Sequence, residues 1–152
     1  MKAKLWLGIF SMMAFCLIFA ACGTNENGTD NQGDSNSGIS GEMESAVKQV
    51  EGNIFRYTLD NQTGEEVTFD FTSGQRFDFA LSNEAGEEVF LFSSVSMFTQ
   101  ALGEETVEAS EKLSYDLEVP ELDLEPGTYT LEVWLTPEEG PAFEAETEYE
   151  VK

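Results

Sequence analysis

The chain has 152 residues, of which 7 are basic, 30 are acidic and none is histidine, so its net charge at pH 7 is −23. A surface this acidic repels phosphate backbones and anionic headgroups, which argues against nucleic acid as a partner. Without histidine, the chain lacks Ser-His and Cys-His nucleophilic machinery and the commonest metal ligand. We therefore predict no catalytic residue, no metal site and no cofactor, and a protein that is not an enzyme. A hydrolase that uses carboxylates alone is the alternative left open.

Residues 1–21 have the layout of a lipoprotein signal peptide. Lys2 and Lys4 precede an apolar run that is short for a membrane-spanning helix, and small residues end the run. The final letters LIFAAC resemble a bacterial lipobox, in which Cys22 receives diacylglycerol and becomes the first residue of the mature protein. We predict an outward-facing lipoprotein of the cell membrane, held through the lipid on Cys22. Ordinary cleavage after Ala21, leaving a free thiol, is the alternative.

Residues 22–41 are predicted to be the lipidated cysteine and a flexible tether. The residues after Cys22 are almost all Gly, Asn, Ser, Thr, Asp or Gln, which bury too little apolar surface to offset their conformational entropy. Such a tether spans about 25 Å root-mean-square. Because Cys16 lies in the removed peptide and Cys22 carries lipid, the domain beyond has no disulfide, and its stability has to come from its core.

Residues 42–152 are predicted to form one β domain. Residues 42–51 fit either a helix or an edge strand. From residue 54 onward, apolar and polar residues alternate as in strands, whose side chains point to opposite faces in turn. The alternating runs are 54–59, 67–71, 77–81, 113–117, 129–135 and 143–151. The run 89–92 is apolar on both faces, which predicts a central strand.

The spacing of turn signals favours one fold class within this domain. Turns every 8 to 12 residues and a length of about 100 residues predict an all-β fold, an immunoglobulin-like β-sandwich of about seven to eight antiparallel strands. Tyr129, which follows Pro126 and Gly127, fits either a tyrosine corner bonded to backbone or ordinary core packing. We expect a monomer whose loops, rather than a cleft, contact other molecules.

Three sequence runs carry a family resemblance: 71–79 (FTSGQRFDF), 97–102 (MFTQAL) and 124–129 (LEPGTY). In this order and spacing, over residues 52–135, they resemble the BsuPI family, which is named for an intracellular proteinase inhibitor. The resemblance implies an immunoglobulin-like sandwich and inhibition of a serine protease of the subtilisin type. It carries over no set of inhibitory residues. Because this chain has an export signal, the inhibitory activity would have to be directed to an envelope protease or be absent.

Several residues of these runs are interpreted as parts that build the fold. They are Ser73, Gly74, Gln75, Phe77, Asp78, Phe98, Thr99 and Gln100. Residues 73–75 are predicted to form a tight turn, with a positive φ at Gly74 and Asp78 accepting hydrogen bonds from the turn. Phe98 and Leu102 are predicted to plug the end of the sandwich, with Thr99 and Gln100 bonding loop backbone between them.

Two functions remain open, and in both the partner is a protein. In the first, the domain inhibits a protease through an exposed, rigid loop, as the family resemblance implies. One candidate loop contains Ser93, Ser94, Val95, Ser96 and Met97, and the other contains Thr136, Pro137, Glu138, Glu139 and Gly140. In the second, the domain is an accessory envelope module for adhesion or scaffolding, with no inhibitory activity.

Overall fold

The computed structural model describes residues 41–152, which form nine strands and one single-turn helix. The predicted signal peptide, Cys22 and nearly all of the predicted tether lie outside the described residues. The elements are β1 (Met43–Glu51), β2 (Ile54–Asn61), β3 (Val67–Phe71), β4 (Phe77–Ser82), β5 (Glu88–Leu91), α1 (Phe92–Val95), β6 (Gly103–Val107), β7 (Lys112–Glu118), β8 (Gly127–Leu135) and β9 (Ala142–Val151). In this part of the chain, no helix has the length and apolar character needed to cross a membrane.

Two antiparallel sheets enclose one hydrophobic core, with strand orders β1-β2-β7 and β5-β4-β8-β9. The predicted all-β sandwich is therefore confirmed. Alternation along β2 shows why: Phe55, Tyr57 and Leu59 are at most 1% exposed, whereas Arg56 between them faces solvent. The two sheets meet through aromatic contacts, as where Phe55 packs edge-to-face on Tyr149 with ring centroids 6.0 Å apart.

β3 and β6 form a separate two-stranded ladder that continues the pairing of β2 with β7. Asp60 pairs with Lys112 at the end of one ladder, and Val67 pairs with Val107 at the start of the next. β6 was not predicted from the sequence, because its letters GEETV contain a single large apolar residue. β6 forms because its backbone pairs with β3, which the side-chain pattern does not indicate. With β6, the described residues form nine strands, more than the predicted seven or eight.

The interruption between the two ladders is held by the side chain of Asn61, which is fully buried. Its amide nitrogen donates to the carbonyl oxygens of Glu65, Val107 and Glu108 at 2.7, 2.8 and 3.1 Å. Its amide oxygen accepts from the backbone N–H of Thr63 at 3.0 Å and from the Thr63 hydroxyl at 2.7 Å. Every polar atom of this side chain is thus satisfied, as a buried amide requires.

The backbone of Asn61 extends the β2–β7 pairing across the same interruption. Its N–H donates to the carbonyl of Glu111, and its carbonyl accepts from the N–H of Ser110, each at 2.9 Å. Ser110 has a φ of 65°, in the left-handed region that few non-glycine residues adopt. Asn61 is therefore the joint between the β2–β7 and β3–β6 ladders.

The structure decides between the two predictions for β1 and corrects the prediction for β5. Residues 42–51, for which helix and strand were both open, contain the edge strand β1. β5 lies at the edge of its sheet, so the prediction of a central strand was wrong. Its run is apolar because Phe90 and Phe92 both pack on Phe79, at 5.8 and 4.8 Å between centroids, while Val89 is 40% exposed.

Tyr129 forms the tyrosine corner that was one of its two predicted roles. Its hydroxyl donates to the carbonyl of Glu125, four residues upstream, at 3.0 Å. This bond fixes the entry of the chain into β8.

A bulge in β9 links the edges of the two sheets. The register shifts between Val133 and Leu135, and Phe143 has a φ of 57° there. The carbonyl of Phe143 accepts from the Tyr57 hydroxyl, and the carbonyl of Glu144 accepts from the Ser45 hydroxyl at 2.7 Å. The bulge thus turns two carbonyls toward β2 and β1 and closes the sandwich on that side.

We expect Asn61→Ala to lower the free energy of unfolding by about 2 to 4 kcal/mol, because it leaves buried backbone groups unpaired at about 1 to 3 kcal/mol each. Urea denaturation measures the loss. The matched control is Asn83→Ala, since the Asn83 side chain accepts from the N–H groups of Ala85 and Glu87 in an exposed turn. Water replaces those bonds, so the control should lose less than about 1 kcal/mol. Equal losses at the two sites would contradict the role given to Asn61.

Candidate functional site

Three chain segments leave the β-sandwich at the same end. Phe77 at the start of β4 pairs with Leu135 at the end of β8, and β5 runs toward that end as Leu91 pairs with Ala80. The connections that follow β3, β5 and β8 therefore lie together. They are the turn 72–76, the segment 92–102 and the loop 136–141, and the last two contain the candidate loops predicted from the sequence.

The turn 72–76 bonds to both candidate loops through its backbone. The N–H of Gly74 donates to the carbonyl of Thr99 at 2.8 Å, and the carbonyl of Arg76 accepts from the N–H of Thr136 at 3.0 Å. Within the turn, the N–H of Gln75 donates to the Ser73 hydroxyl at 3.1 Å. The structure thus brings the motif residues 73–75 and Thr99 into direct contact and positions both loops from one turn.

Gly74 is required by close approach and not by a positive φ. The glycines with positive φ among the described residues are Gly52, Gly64, Gly86 and Gly140, so the predicted positive φ at Gly74 was wrong. A Cβ atom on Gly74 would lie 2.5 Å from the Thr99 hydroxyl oxygen, so the Thr99 side chain would have to move to accommodate it.

Arg76 extends this turn to the β3–β6 ladder. Its Nη1 donates to the carbonyl of Ser73 at 2.8 Å, and its Nε donates to the carboxylate of Glu105 at 3.0 Å. Its guanidinium carbon lies 4.6 Å from the centre of the Phe71 ring, and a Cβ on Gly103 would lie 2.1 Å from its Nη2. Arg76 was not predicted to belong to the site, although it is the one basic residue in the run FTSGQRFDF of a very acidic chain, and that was the available signal.

Asp78 holds the start of segment 92–102 and does not bond to the turn at 73–75 as predicted. Its carboxylate is buried and accepts from the N–H groups of Ser93 at 3.0 Å and Phe79 at 2.9 Å. The prediction failed because the strand directs Asp78 to the face that α1 covers. Phe77, its neighbour in the motif, packs between Phe92 and Tyr115 in the core, at 6.1 and 5.3 Å between centroids.

Segment 92–102 changes from a helical turn to extended chain. In α1, the hydroxyl of Ser94 donates to the carbonyl of Leu91 at 2.6 Å. Ser96 is extended, with φ −108° and ψ 151°. Beyond Met97, Phe98 is half-buried and places its ring edge on Phe92, 5.8 Å between centroids. Phe98 therefore anchors the chain on the far side of Met97.

This segment exposes more apolar side-chain surface than any other described part of the chain. Met97 is 99% exposed, Leu102 is 87% exposed and Val95 is 69% exposed. The prediction that Leu102 plugs the sandwich was therefore wrong, whereas Phe98 is half-buried and packs on Phe92. Thr99 bonds the turn through its backbone carbonyl, and Gln100 is exposed. Clustered exposed apolar side chains are typical of a surface that meets a partner.

The loop 136–141 is ordered and presents charge. Pro137 is buried, and its carbonyl accepts from the N–H of Gly140 at 3.0 Å. The N–H of Glu138 donates to the carbonyl of Asp70 at 2.8 Å, which ties the loop to β3. The exposed side chains are those of Glu138, Glu139 and Pro141, so this loop adds two carboxylates beside the apolar segment.

The carboxylates with shifted pKa values lie away from these two loops. Partial burial raises the pKa of Glu132 on β8, and the charges of Glu144 and Glu146 raise it further. The nearby carboxylate of Glu66 raises the pKa of Glu108, which lies beside the Asn61 joint. Between residues 41 and 152, no group of three or more His, Cys, Asp or Glu side chains is placed to hold a metal ion.

We expect Gly74→Ala to displace segment 92–102, because its Cβ would overlap the hydroxyl oxygen 2.5 Å away on Thr99. The variant should melt several degrees lower and be cut faster by proteases within 95–102. Adding Thr99→Ala removes that oxygen and leaves contacts of 3.6 and 3.7 Å, which are ordinary. The double variant should therefore recover most of the loss. A double variant that stays as labile as Gly74→Ala would contradict the close-approach argument.

Comparison with known protein families gives one match, and it covers this end of the molecule. A family model described as BsuPI, intracellular proteinase inhibitor, matches residues 42–140, which include the turn 72–76 and nearly all of both loops. No curated protein matches the chain.

Among solved structures, the chain is similar to an alkylpurine DNA glycosylase, AlkC, of Pseudomonas fluorescens bound to DNA containing an abasic site analogue. The two share 12% identity over 75% of this chain and 32% of the glycosylase, with a TM-score of 0.33. This chain spans about a third of that enzyme's length, and so low a score supports no functional argument. The family match covers most of the chain, and the chain therefore belongs to the BsuPI family, whose description indicates proteinase-inhibitor-like function and a protease as the general partner.

Proposed function

We propose that the chain is a lipid-anchored, outward-facing inhibitor of a serine protease of the subtilisin type, and that segment 92–102 contacts the protease. The observation that carries the proposal is the exposure of Met97, which follows the extended Ser96 and precedes Phe98, whose ring packs on Phe92. In this proposal the protein acts by binding, as a monomer and without enzymatic activity of its own.

An inhibitory loop has to enter a substrate cleft and remain rigid there. A protease cleft binds extended chain, and Ser96 has the extended conformation at the start of this stretch. Phe98 and Thr99 are already fixed by the Phe92 ring and the Gly74 N–H. Because these groups are ordered before binding, little conformational entropy remains to be lost when the loop enters the cleft.

The loop 136–141 adds a second contact at the same end of the sandwich. Its exposed carboxylates, Glu138 and Glu139, lie on a backbone fixed by Pro137 and Asp70. In the proposed complex they face the rim of the protease cleft and favour a rim that carries basic side chains. Such charges mainly speed association and select the partner, while the apolar segment supplies affinity.

The site of action proposed here differs from the one in the family description. That description names an intracellular inhibitor, whereas residues 1–22 have the sequence features of export and lipidation. Removing Lys2 and Lys4 leaves 5 basic and 30 acidic residues, a net charge of −25. Such a charge keeps the domain off anionic headgroups and in reach of envelope proteases.

We expect the full-length chain, purified in mild detergent, to inhibit at least one subtilisin-type protease with an inhibition constant of about 1 µM or lower, which corresponds to about −8 kcal/mol. Hydrolysis of a small chromogenic peptide measures the inhibition. A variant combining Val95→Asp, Met97→Asp and Leu102→Asp should lose it. Val50→Asp is the matched control, since Val50 is 53% exposed at the hairpin between β1 and β2. Absence of inhibition across a panel of subtilisin-type proteases would contradict the proposal and favour the accessory adhesion or scaffold module.

We expect radioactive palmitate to label the chain in a bacterial host and the label to disappear in Cys22→Ser. Each buried acyl CH₂ contributes about 0.8 kcal/mol, so losing the lipid should move the protein from the membrane fraction to the soluble fraction. Cys16→Ser is the matched control and should keep both the label and the membrane fraction. Labelling that persists in Cys22→Ser would exclude the proposed anchor.

A further inference from the structure

We infer that Met97 fills the specificity pocket of the target protease, that this pocket is apolar, and that the bond between Met97 and Phe98 lies at the catalytic serine. This inference rests on the proposed function and names the class of partner within it. The partner is a serine protease that accepts a long, unbranched apolar side chain before the cleaved bond.

The backbone distinguishes Met97 from the other two exposed apolar residues. Val95 closes the helical turn α1, and helical backbone does not fit a cleft that pairs with extended chain. Leu102 directly precedes β6, whose first residue, Gly103, is already paired with Phe71 of β3. Met97 follows an extended residue and precedes Phe98, whose ring packs on Phe92 outside any strand. It is also the most exposed, at 99%, so the whole side chain is free to enter a pocket.

The anchored neighbours account for inhibition in place of digestion. Attack by the protease serine on the Met97 carbonyl carbon forms an ester, breaks the C–N bond to Phe98 and passes the serine proton to the Phe98 nitrogen. Phe98 stays packed on Phe92, and the carbonyl of Thr99 stays bonded to Gly74. The new amine therefore remains beside the ester and re-forms the peptide bond faster than water reaches the ester, returning the proton to the serine.

The chemistry around Met97 determines which pocket it fits. Methionine is apolar and adaptable, so it fills an apolar slot well. A pocket with a carboxylate at its base selects Lys or Arg, and methionine would leave that buried charge unpaired. The exposed carboxylates of Glu104, Glu138 and Glu139 on neighbouring segments repel an acidic rim in the same way. Both features point to a protease with an apolar pocket and a neutral or basic rim.

The test compares Met97→Lys with Leu102→Lys in the full-length chain, against a subtilisin-type protease with an apolar pocket and against trypsin, whose pocket holds an aspartate. We expect Met97→Lys to weaken inhibition of the first by about 100-fold, because a lysine ammonium loses its water in an apolar pocket, and to gain inhibition of trypsin. Leu102→Lys makes the same charge change on the contacting segment but outside the pocket, so it should weaken inhibition of the first protease by less than about tenfold and gain no inhibition of trypsin. Both side chains are exposed, so the melting temperatures should match the unmodified chain.

The outcomes separate the inference from the proposed function. If the unmodified chain inhibits neither protease class, both are wrong. If it inhibits but Met97→Lys behaves like Leu102→Lys, the inference is wrong and the proposed function stands. Mass spectrometry after long incubation gives an independent readout: a single slow cut between Met97 and Phe98 supports the inference, and a first cut elsewhere in 92–102 overturns it.

Discussion

The backbone bonds of the turn 72–76 are the constraint on which the candidate site depends. Thr99 and Thr136 belong to different connections, and both are held by this turn, at 2.8 and 3.0 Å. Neither connection is part of a strand ladder at these residues. The close approach of Gly74 to Thr99 and the bonds of Arg76 to Ser73 and Glu105 convert a surface turn into a rigid base for two loops. The shape that a partner meets is therefore set by contacts beneath the loops and not by the loops themselves.

A domain without cysteine between residues 41 and 152 needs other means to fix the register of its strands. Buried or half-buried polar groups supply them here. Asn61 joins the β2–β7 and β3–β6 ladders, the Tyr57 hydroxyl bonds the bulge in β9, and Asp78 holds the start of α1. Each group has specific partners, so a slipped register would leave it buried and unpaired. The phenylalanine-rich core provides the bulk of the stabilisation, while these groups select one arrangement of it.

The sequence predicted the features that depend on local pattern and missed those that depend on distant contacts. Period-two alternation identified the sandwich and six of its strands, because each such strand has one face in the core, and the continuous apolar run 89–92 identified β5. β6 was missed because its pairing with β3 does not require apolar side chains on alternate positions. Phe92 was predicted to lie in a central strand, because the apolar run 89–92 does not show that α1 begins at that residue.

The same limit applies to individual side chains of the candidate site. Residues 73–75 were correctly placed in a turn, since Ser and Gly have strong local preferences. The reason for glycine at position 74 was missed, because it depends on Thr99, 25 residues later. Leu102 was assigned to the core from its chemistry, although its exposure depends on where β6 begins. Arg76 gave only a weak local signal, because its contacts lie on β3 and β6.

The burial of Asn61 has a consequence for how this protein can be produced. Asn61, Gln62 and Thr63 form an acceptor sequence for N-linked glycans. In the folded domain, the Asn61 amide nitrogen is enclosed by three carbonyl oxygens and is out of reach of a transferase. A sugar attached to the nascent chain would replace one of the two amide protons and require space that the core does not have. A eukaryotic secretory host would therefore yield misfolded glycosylated chains alongside unmodified folded protein, and a bacterial host avoids that loss.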